Sequence, residues 1–248
     1  MRQTQLIMGM PITVDLVHEK QSIFDEIFSF FRAVDRKFSP YKKGSEVSRI
    51  NRNELLPNAY SKDMKTILSL AEQTKQQTNG YFDIWKNGVL DPSGLVKGWA
   101  VYRAAHILSK KRYEHFYINA GGDVQVSGCN EKGKQWTVGI QNPFLPGKIV
   151  KVLILLNKGV ATSGTYIRGQ HIYNPHNIDK HITDIVSITV VGPNIYEADR
   201  FATAAFAMGK NGIHFLERQK GLEGYMIDKK GIATYTSGFD SYVFTERN

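Results

Sequence analysis

The sequence FYINAGGDVQV at residues 116–126 is the clearest indication of the fold class. Two short runs with apolar side chains at alternate positions flank the pair Gly121-Gly122. Such alternation is typical of β-strands, and paired glycines between strands favour a tight turn or a close approach of backbone. A hairpin turn is the simpler interpretation. Short β runs separated by Gly, Asn and Pro continue through residues 115–191.

Helices are predicted on both sides of this β-rich part. Apolar side chains recur at helical spacing over residues 21–38, and we also predict helices over residues 61–78, 94–108 and 197–208. Because helices and strands come in blocks and do not alternate one by one, we expect an α+β fold of mainly antiparallel sheets packed with helices.

Strand-like runs are also predicted at the two ends of the chain. Residues 5–17 are expected to form a strand, in which Pro11 indicates an edge position or a bulge. Three further strands are predicted over residues 225–228, 232–236 and 242–245.

The composition is that of a globular protein of one domain or two tightly joined halves. The 248 residues are 42% hydrophobic with only 8 Pro, which excludes intrinsic disorder, and the single Cys129 excludes a disulfide scaffold. The longest aliphatic run, residues 152–156, is far shorter than the roughly 20 residues of a membrane span. The first residues lack the apolar core of a signal peptide, so we expect a cytoplasmic protein.

The net charge of +9 favours encounters with anions. A generally basic surface, a phosphate-bearing ligand and nucleic acid are three possible explanations. The basic clusters are only pairs and triples such as residues 110–112, and no helix-turn-helix, zinc-finger or ribonucleoprotein-type motif is found. Nucleic acid is therefore the least supported partner.

Asp199 and Thr203 lie four residues apart on the predicted helix 197–208, so their side chains share one face. A carboxylate and a hydroxyl are hard oxygen donors of the kind that Mg²⁺ binds. The alternative is that Asp199 stabilises the helix start while Thr203 bonds back to a carbonyl of its own helix.

The segment DPSGLVKGWA at residues 91–100 leads from a turn into a helix. Amides at a helix start attract anions, and Lys97 in the first turn adds positive charge. An ordinary junction between loop and helix is the competing interpretation, since the spacing is not that of a Walker loop.

The segment ATSGTYIRGQH at residues 161–171 combines hydroxyl side chains with Arg168 and His171. His171 is a candidate base and Arg168 a candidate phosphate ligand. A Ser/His hydrolase is conceivable, although the GxSxG elbow is absent, and a structural histidine is the simpler alternative.

Six aromatic and thioether side chains could form a slot for a planar ring, or could simply belong to the hydrophobic core. They are Met8, Met10, Tyr41, Tyr81, Phe82 and Trp85.

Taken in order, ten segments of the chain resemble the ApbE family of FAD:protein FMN transferases. The resemblance rests on residues 8–9, 38–41, 45–51, 80–83, 91–100, 119–123, 161–164, 171–175, 187–192 and 199–209. It implies one ApbE-like domain over residues 1–248, with two T-fold-like halves. It also implies Mg²⁺-dependent cleavage of the pyrophosphate of FAD, transfer of FMN to a Thr or Ser hydroxyl of an acceptor protein, and release of AMP.

The resemblance also assigns residues to roles. The metal ligands would be the carbonyl of Gly94 and the side chains of Asp199 and Thr203, and His171 would take the proton of the acceptor hydroxyl. The residues that would contact FAD are Met8, Tyr41, Tyr81, Phe82, Asp83, Asp91, Lys97 and Ile172.

Two other activities fit the same residues. Water in place of the acceptor hydroxyl would make the chain a Mg²⁺-dependent FAD pyrophosphatase that yields FMN and AMP. A non-catalytic flavin-binding protein is the other alternative, because Asn174 stands where the family pattern after the histidine usually has an acid.

Overall fold

The structure is a computed structural model, and it describes residues 1–17, 21–165 and 172–245. Within these ranges the helices are α1 (Gln21–Phe38), α2 (Glu46–Asn51), α3 (Lys62–Gln77), α4 (Ser93–Lys110), α5 (Ile195–Ala207) and α6 (Asn211–Glu217). The strands are β1 (Arg2–Ile7), β2 (Met10–Leu16), β3 (Trp85–Lys86), β4 (Val89–Leu90), β5 (Phe116–Ala120), β6 (Asp123–Ser127), β7 (Trp136–Gln141), β8 (Ile149–Leu155), β9 (Gly159–Gly164), β10 (Ile185–Gly192), β11 (Glu223–Asp228) and β12 (Ala233–Tyr235).

An eight-stranded antiparallel sheet organises the molecule, in the order β1-β2-β5-β6-β9-β10-β11-β12. Four strands come from each half of the chain, and in each half two strands precede a helical part and two follow it. The halves join where Val124 of β6 pairs with Val160 of β9. The predicted α+β fold with mainly antiparallel sheet is confirmed.

The N-terminal segment differs from its prediction. Residues 5–17 do not form one strand, because Met8 and Gly9 both have positive φ (57° and 72°) and turn the chain into the β1–β2 hairpin. Two consecutive residues of positive φ suit a two-residue hairpin turn. Pro11 consequently lies in an inner strand, between β1 and β5, and the predicted edge position is wrong.

The predicted helices are confirmed, with small shifts at their ends. The helix predicted over residues 61–78 is α3, which Ser61 caps by accepting the amide of Met64. α5 begins two residues before its predicted start, because Asn194 accepts the amide of Glu197. Polar caps therefore set these ends.

The strand predicted over residues 242–245 is not formed. A 3-10 helix spans Phe239–Tyr242, and only one bridge, between Leu153 and Val243, follows it. Phe239 is fully buried against Tyr225, at 5.2 Å between ring centroids, so burial of this ring overrides the local β propensity.

Two hydrophobic cores lie on opposite faces of the large sheet. The larger core packs the helices onto one face, and the smaller one packs β7 and β8 onto the other. β11 contributes to both, since Met226 belongs to the larger core while Tyr225 and Ile227 belong to the smaller. Among the helices of the described residues, none is long and apolar enough to cross a membrane.

Candidate functional site

A cavity of about 750 Å³ lies over the join between the two halves. Helices α4 and α5, strand β9 and the β1–β2 turn border it. Its walls include the following residues predicted above to bind FAD or metal: Met8, Tyr41, Tyr81, Phe82, Asp83, Asp91, Gly94, Lys97, Ile172, Asp199 and Thr203. Their roles stay predictions, but residues far apart in the sequence meet in one place.

A close crossing of α4 and α5 forms the inner end of the cavity. The amide of Gly98 on α4 donates to Asp199 Oδ2 at 2.7 Å. A Cβ atom at position 98 would lie 2.6 Å from the Cβ of Asp199 and 3.0 Å from the carbonyl oxygen of Ile195. Only glycine lets the two helices approach this closely.

Three charged side chains meet at this crossing. The Lys97 ammonium contacts Asp123 Oδ2 and lies 3.4 Å from Asp199 Oδ1. Both carboxylates are buried, with 2% of Asp123 and 3% of Asp199 exposed. One ammonium therefore faces two buried acids, and burial makes each charge expensive unless it is paired.

Burial is the main reason why the pKa of Asp199 is raised to about 7. The nearby carboxylate of Asp123 also raises this pKa, whereas Lys97 and the amide of Gly98 lower it. A further cation in contact with Asp199 would favour its carboxylate form.

Asp199 and Thr203 do not play the helix-stabilising roles of the alternative interpretation. Asp199 is the fifth residue of α5, and its carboxylate bonds to α4. The Thr203 hydroxyl donates across the crossing to the Gly94 carbonyl at 3.4 Å, not to its own helix. The predicted ligands on the two helices therefore face each other.

The donor set suits a small hard cation. Two ligands at adjacent corners of a Mg²⁺ octahedron lie about 3 Å apart, close to the separation of Thr203 Oγ1 and Gly94 O. The described residues contain no group of three or more His, Cys, Asp or Glu side chains that could hold a metal ion. A site here would depend on one carboxylate, one hydroxyl, one backbone carbonyl and oxygens of water or ligand.

The segment that leads into α4 is a polar turn at the cavity wall. Asp91 Oδ1 accepts the amide of Ser93 at 3.0 Å and its hydroxyl at 2.5 Å. The side chain thus stabilises the start of α4, to which Pro92 contributes no side-chain cap. Asp91 is exposed and lines the cavity, so contact with a ligand would be added to this structural role.

Tyr173 was not among the predicted site residues. It lines the cavity, and its hydroxyl lies 3.0 Å from the carbonyl of Asp83 and 3.2 Å from that of Trp85. Burial raises the pKa of Tyr173 to about 12, with smaller contributions from Asp83 and Asp91. The hydroxyl is therefore a donor that ties the segment after residue 171 to the cavity wall.

Aromatic and apolar side chains form the rest of the cavity. Phe82 is 2% exposed and belongs to the core, whereas Tyr41 at the rim is 91% exposed. Tyr81 packs edge-on against His176, with ring centroids 4.5 Å apart. Trp85 does not belong to the lining, so it is not part of the predicted slot for a planar ring.

Not every residue of the sequence predictions belongs to the described site, and one charged residue of the site was not predicted. His171 and Arg168 lie outside the described residues. Asp123 was interpreted only as part of a hairpin turn, and its contact with Lys97 joins residues 26 positions apart. The one sequence signal was an acid directly after the Gly121-Gly122 pair.

The side chain of Asn174 is a hydrogen-bond acceptor within a tight turn. Its Oδ1 accepts the amide of His176 at 2.9 Å. The carboxylate that the family pattern usually has at this position could accept the same bond. Asn174 in its place therefore keeps this turn but carries no negative charge.

The antiparallel α+β fold, with a cavity at the join of two similar halves, defines a class of protein, and comparison with known proteins specifies the family. The ApbE family model matches residues 8–89 and 85–226, so the chain belongs to the ApbE family. An FAD:protein FMN transferase of Escherichia coli K12 is 29% identical over 171 residues, which are 64% of this chain and 49% of that protein. One of Haemophilus influenzae is 25% identical and covers 82% of this chain and 77% of that protein.

The chain thus spans about half the length of the first curated relatives that it matches. Solved structures support the fold over nearly the whole chain. The flavin transferase ApbE of Vibrio cholerae superimposes with a TM-score of 0.86 at 21% identity and covers 98% of each chain. The ApbE protein of Thermotoga maritima gives 0.85 at 20% identity and covers 99% of each chain.

Proposed function

We propose that this protein is a Mg²⁺-dependent FAD:protein FMN transferase. It would move the FMN part of FAD to a threonine or serine hydroxyl of an acceptor flavoprotein and release AMP. The observation that carries the proposal is the meeting of Gly94, Thr203, Asp199 and Lys97 at one end of a cavity with aromatic walls, in a chain of the ApbE family.

The chemistry of the transfer defines what these residues must do. The acceptor hydroxyl oxygen forms a bond to the phosphorus on the FMN side, and the bond from that phosphorus to the bridging oxygen breaks. AMP leaves with the bridging oxygen and its electron pair. Such a reaction depends on positioning and on neutralising negative charge.

The polar end of the cavity would supply that neutralisation. Lys97 carries a positive charge beside the first turn of α4, where backbone amides also favour a phosphate. The oxygens of Gly94, Thr203 and Asp199 would hold Mg²⁺. When bound, Mg²⁺ acts as a Lewis acid on the pyrophosphate oxygens.

The aromatic residues and the base complete the proposed site. Tyr81, Phe82 and Met8 offer apolar surface of the kind that accepts a planar ring. His171 is proposed to take the proton of the acceptor hydroxyl, because a hydroxyl of such high pKa is a weak nucleophile without a base.

The decisive experiment uses a flavoprotein that carries phosphoester-linked FMN, purified in its unmodified form. It is incubated with this chain, FAD and Mg²⁺, with and without EDTA, and analysed by intact-mass spectrometry. A mass gain equal to FMN on the acceptor, abolished by EDTA, is expected. Release of FMN and AMP with no labelled acceptor would indicate a pyrophosphatase, and unchanged FAD would indicate a flavin-binding protein.

A second experiment addresses His171. His171→Ala is expected to reduce the rate of transfer at least about 100-fold while it changes the Kd for FAD little. His214→Ala, an exposed position on α6, is the matched control and should keep both. Equal losses of transfer and FAD binding would argue against a base at position 171.

A further inference from the structure

Asp123 is buried beside Lys97, and the proposed function gives it no role. It begins strand β6, with 2% of the residue exposed. Its Oδ1 accepts the amide of Thr162 on β9 at 3.1 Å, and its Oδ2 contacts the Lys97 ammonium. A buried carboxylate held in this way is costly for a fold to keep, unless its charge is needed.

Asp123 is held by the backbone on both sides. It pairs with Ala120 across the turn of Gly121 and Gly122, whose φ values are 61° and 103°. The next residue, Val124, pairs with Val160 at the join between the two halves of the sheet. The carboxylate therefore has a fixed position relative to α4 and α5.

Lys97 lies between two acids and is closer to one of them. Its Nζ is in direct contact with Asp123 Oδ2, but lies 3.4 Å from Asp199 Oδ1. The other oxygen of Asp199 accepts the amide of Gly98 at 2.7 Å. Asp199 Oδ1 is thus the oxygen for which the ammonium and a divalent cation would compete.

We propose that Asp123 is a positioning residue that draws the Lys97 ammonium towards itself, leaves only the longer contact of 3.4 Å to Asp199 Oδ1, and so keeps this oxygen available to a divalent cation. This inference rests on the cation site of the proposed function. Without the charge of Asp123, Lys97 would pair with Asp199 and displace the cation from it. Asp123 thereby controls the affinity of the cation site, although it is not itself a ligand of the cation.

The test measures binding of Mn²⁺ alone, by the electron paramagnetic resonance signal of the unbound ion. The wild type, Asp123→Asn, Lys97→Met and the double variant are compared. Asp123→Asn is expected to weaken Mn²⁺ binding about tenfold, as loss of an outer-sphere partner typically does. Lys97→Met is expected to bind Mn²⁺ at least as tightly as the wild type, since the competing ammonium is gone.

The double variant separates positioning from simple attraction between charges. If Asp123 acts by occupying Lys97, Asp123→Asn should change the Kd for Mn²⁺ less than about twofold in the Lys97→Met background. Asp228→Asn is the matched control: Asp228 is also buried beside a lysine, with Oδ2 at 3.3 Å from Lys210 Nζ, and its replacement should leave Mn²⁺ binding unchanged.

Three results would overturn the inference. One is an unchanged Kd in Asp123→Asn, and another is an equal or larger weakening in the Lys97→Met background. The third is weaker Mn²⁺ binding in Lys97→Met, which tests the idea even if Asp123→Asn does not fold. A wild-type chain that binds no Mn²⁺ would overturn the proposed cation site as well, whereas the other results leave that site standing.

Discussion

Gly98 is the residue on which the geometry of the site depends most directly. Its amide bonds to Asp199, and the absence of a side chain allows α4 and α5 to cross there. A glycine within a helix ordinarily costs about 1 kcal/mol relative to alanine. This cost arises where α4 and α5, the two helices that carry the predicted metal ligands, cross.

Gly98→Ala should therefore destabilise the protein, although alanine favours helices. The new methyl would lie 2.6 Å from Asp199 Cβ, and relieving this overlap is expected to lower the free energy of unfolding by about 1–3 kcal/mol. Urea denaturation measures the change. Gly44→Ala, with no atom within 4 Å of the added methyl, is the control and should shift stability by less than about 1 kcal/mol. Equal stability of Gly98→Ala and the wild type would contradict the close crossing.

Asp199→Asn should abolish divalent-cation-dependent turnover without unfolding the chain. Asparagine keeps an acceptor for the Gly98 amide but loses the charge that would hold Mg²⁺. A bound metal ion stabilises the negative charge of the transition state by several kcal/mol. The transfer rate of the variant is therefore expected to fall about 100-fold or more. Transfer assays at saturating FAD, together with circular dichroism, check this. Wild-type rates in the variant would remove Asp199 from the metal site.

The sequence could predict some site residues and not others for a physical reason. Asp199 and Thr203 lie four residues apart on one helix, so local spacing alone placed their side chains together. Asp123 meets Lys97 only because β6 packs against α4 in the folded chain. A contact that depends on strand order leaves no periodic signal in the chain.

At the scale of elements, the turn between β11 and β12 shows how one side chain organises a connection. Asp228 Oδ1 accepts the amides of Lys230 at 2.8 Å and Ile232 at 3.0 Å. Its Oδ2 lies 3.3 Å from Lys210 Nζ. The bond from Ile232 is the largest of several contributions that hold the pKa of Asp228 below its ordinary value of 3.8.

Asp228→Asn should lower stability in a pH-dependent way. Because the pKa of Asp228 is lower in the folded chain, ionised Asp228 stabilises the fold above its ordinary pKa, and this contribution is lost as pH falls through the lowered value. The wild type should therefore be more stable than the variant near neutral pH, and the difference should shrink in acid. Urea denaturation between about pH 7 and about pH 3 measures it. A difference that does not vary with pH would contradict the assignment.

Most elements could be predicted from local patterns, and the failures have identifiable causes. α1 follows its apolar periodicity from Gln21 to Phe38. β9, Gly159–Gly164, has only two β-branched residues among glycines and small side chains, so its local pattern did not predict a strand, and its place in the sheet follows from its pairing with β6 and β10. The hairpin within residues 5–17 depends on positive φ at Met8, an unusual residue for that conformation.

For the whole molecule, one sheet shared by two cores predicts a single cooperative unfolding transition. Strands such as β11 contribute side chains to both cores, so neither core can open without the other. Calorimetry should give one transition whose van't Hoff enthalpy equals the calorimetric enthalpy. Phe206→Ala in the larger core and Phe239→Ala in the smaller should each lower the midpoint of that same transition, at a cost of about 3–5 kcal/mol. Two separate transitions would show that the two cores unfold independently.

The fold class was predictable at this scale, but the position of the cavity was not. Blocks of strands and helices indicated an antiparallel α+β architecture. The join at Val124 and Val160 depends on which edge strands of the two halves pair, and no local pattern in either strand specifies that pairing. Only the family resemblance, which assigned roles to residues far apart in the sequence, predicted that these residues belong to one site.

The turn at Met8 has a consequence for attempts to make this protein withstand heat. Asparagine or glycine would adopt positive φ there more easily, with a gain of about 1 kcal/mol, and so position 8 would attract any thermostability screen. The same methionine forms part of the cavity wall. Because Met8 is also predicted to contact FAD, selection for stability and selection for binding would favour different amino acids at this position, and a stabilised library should leave Met8 unchanged.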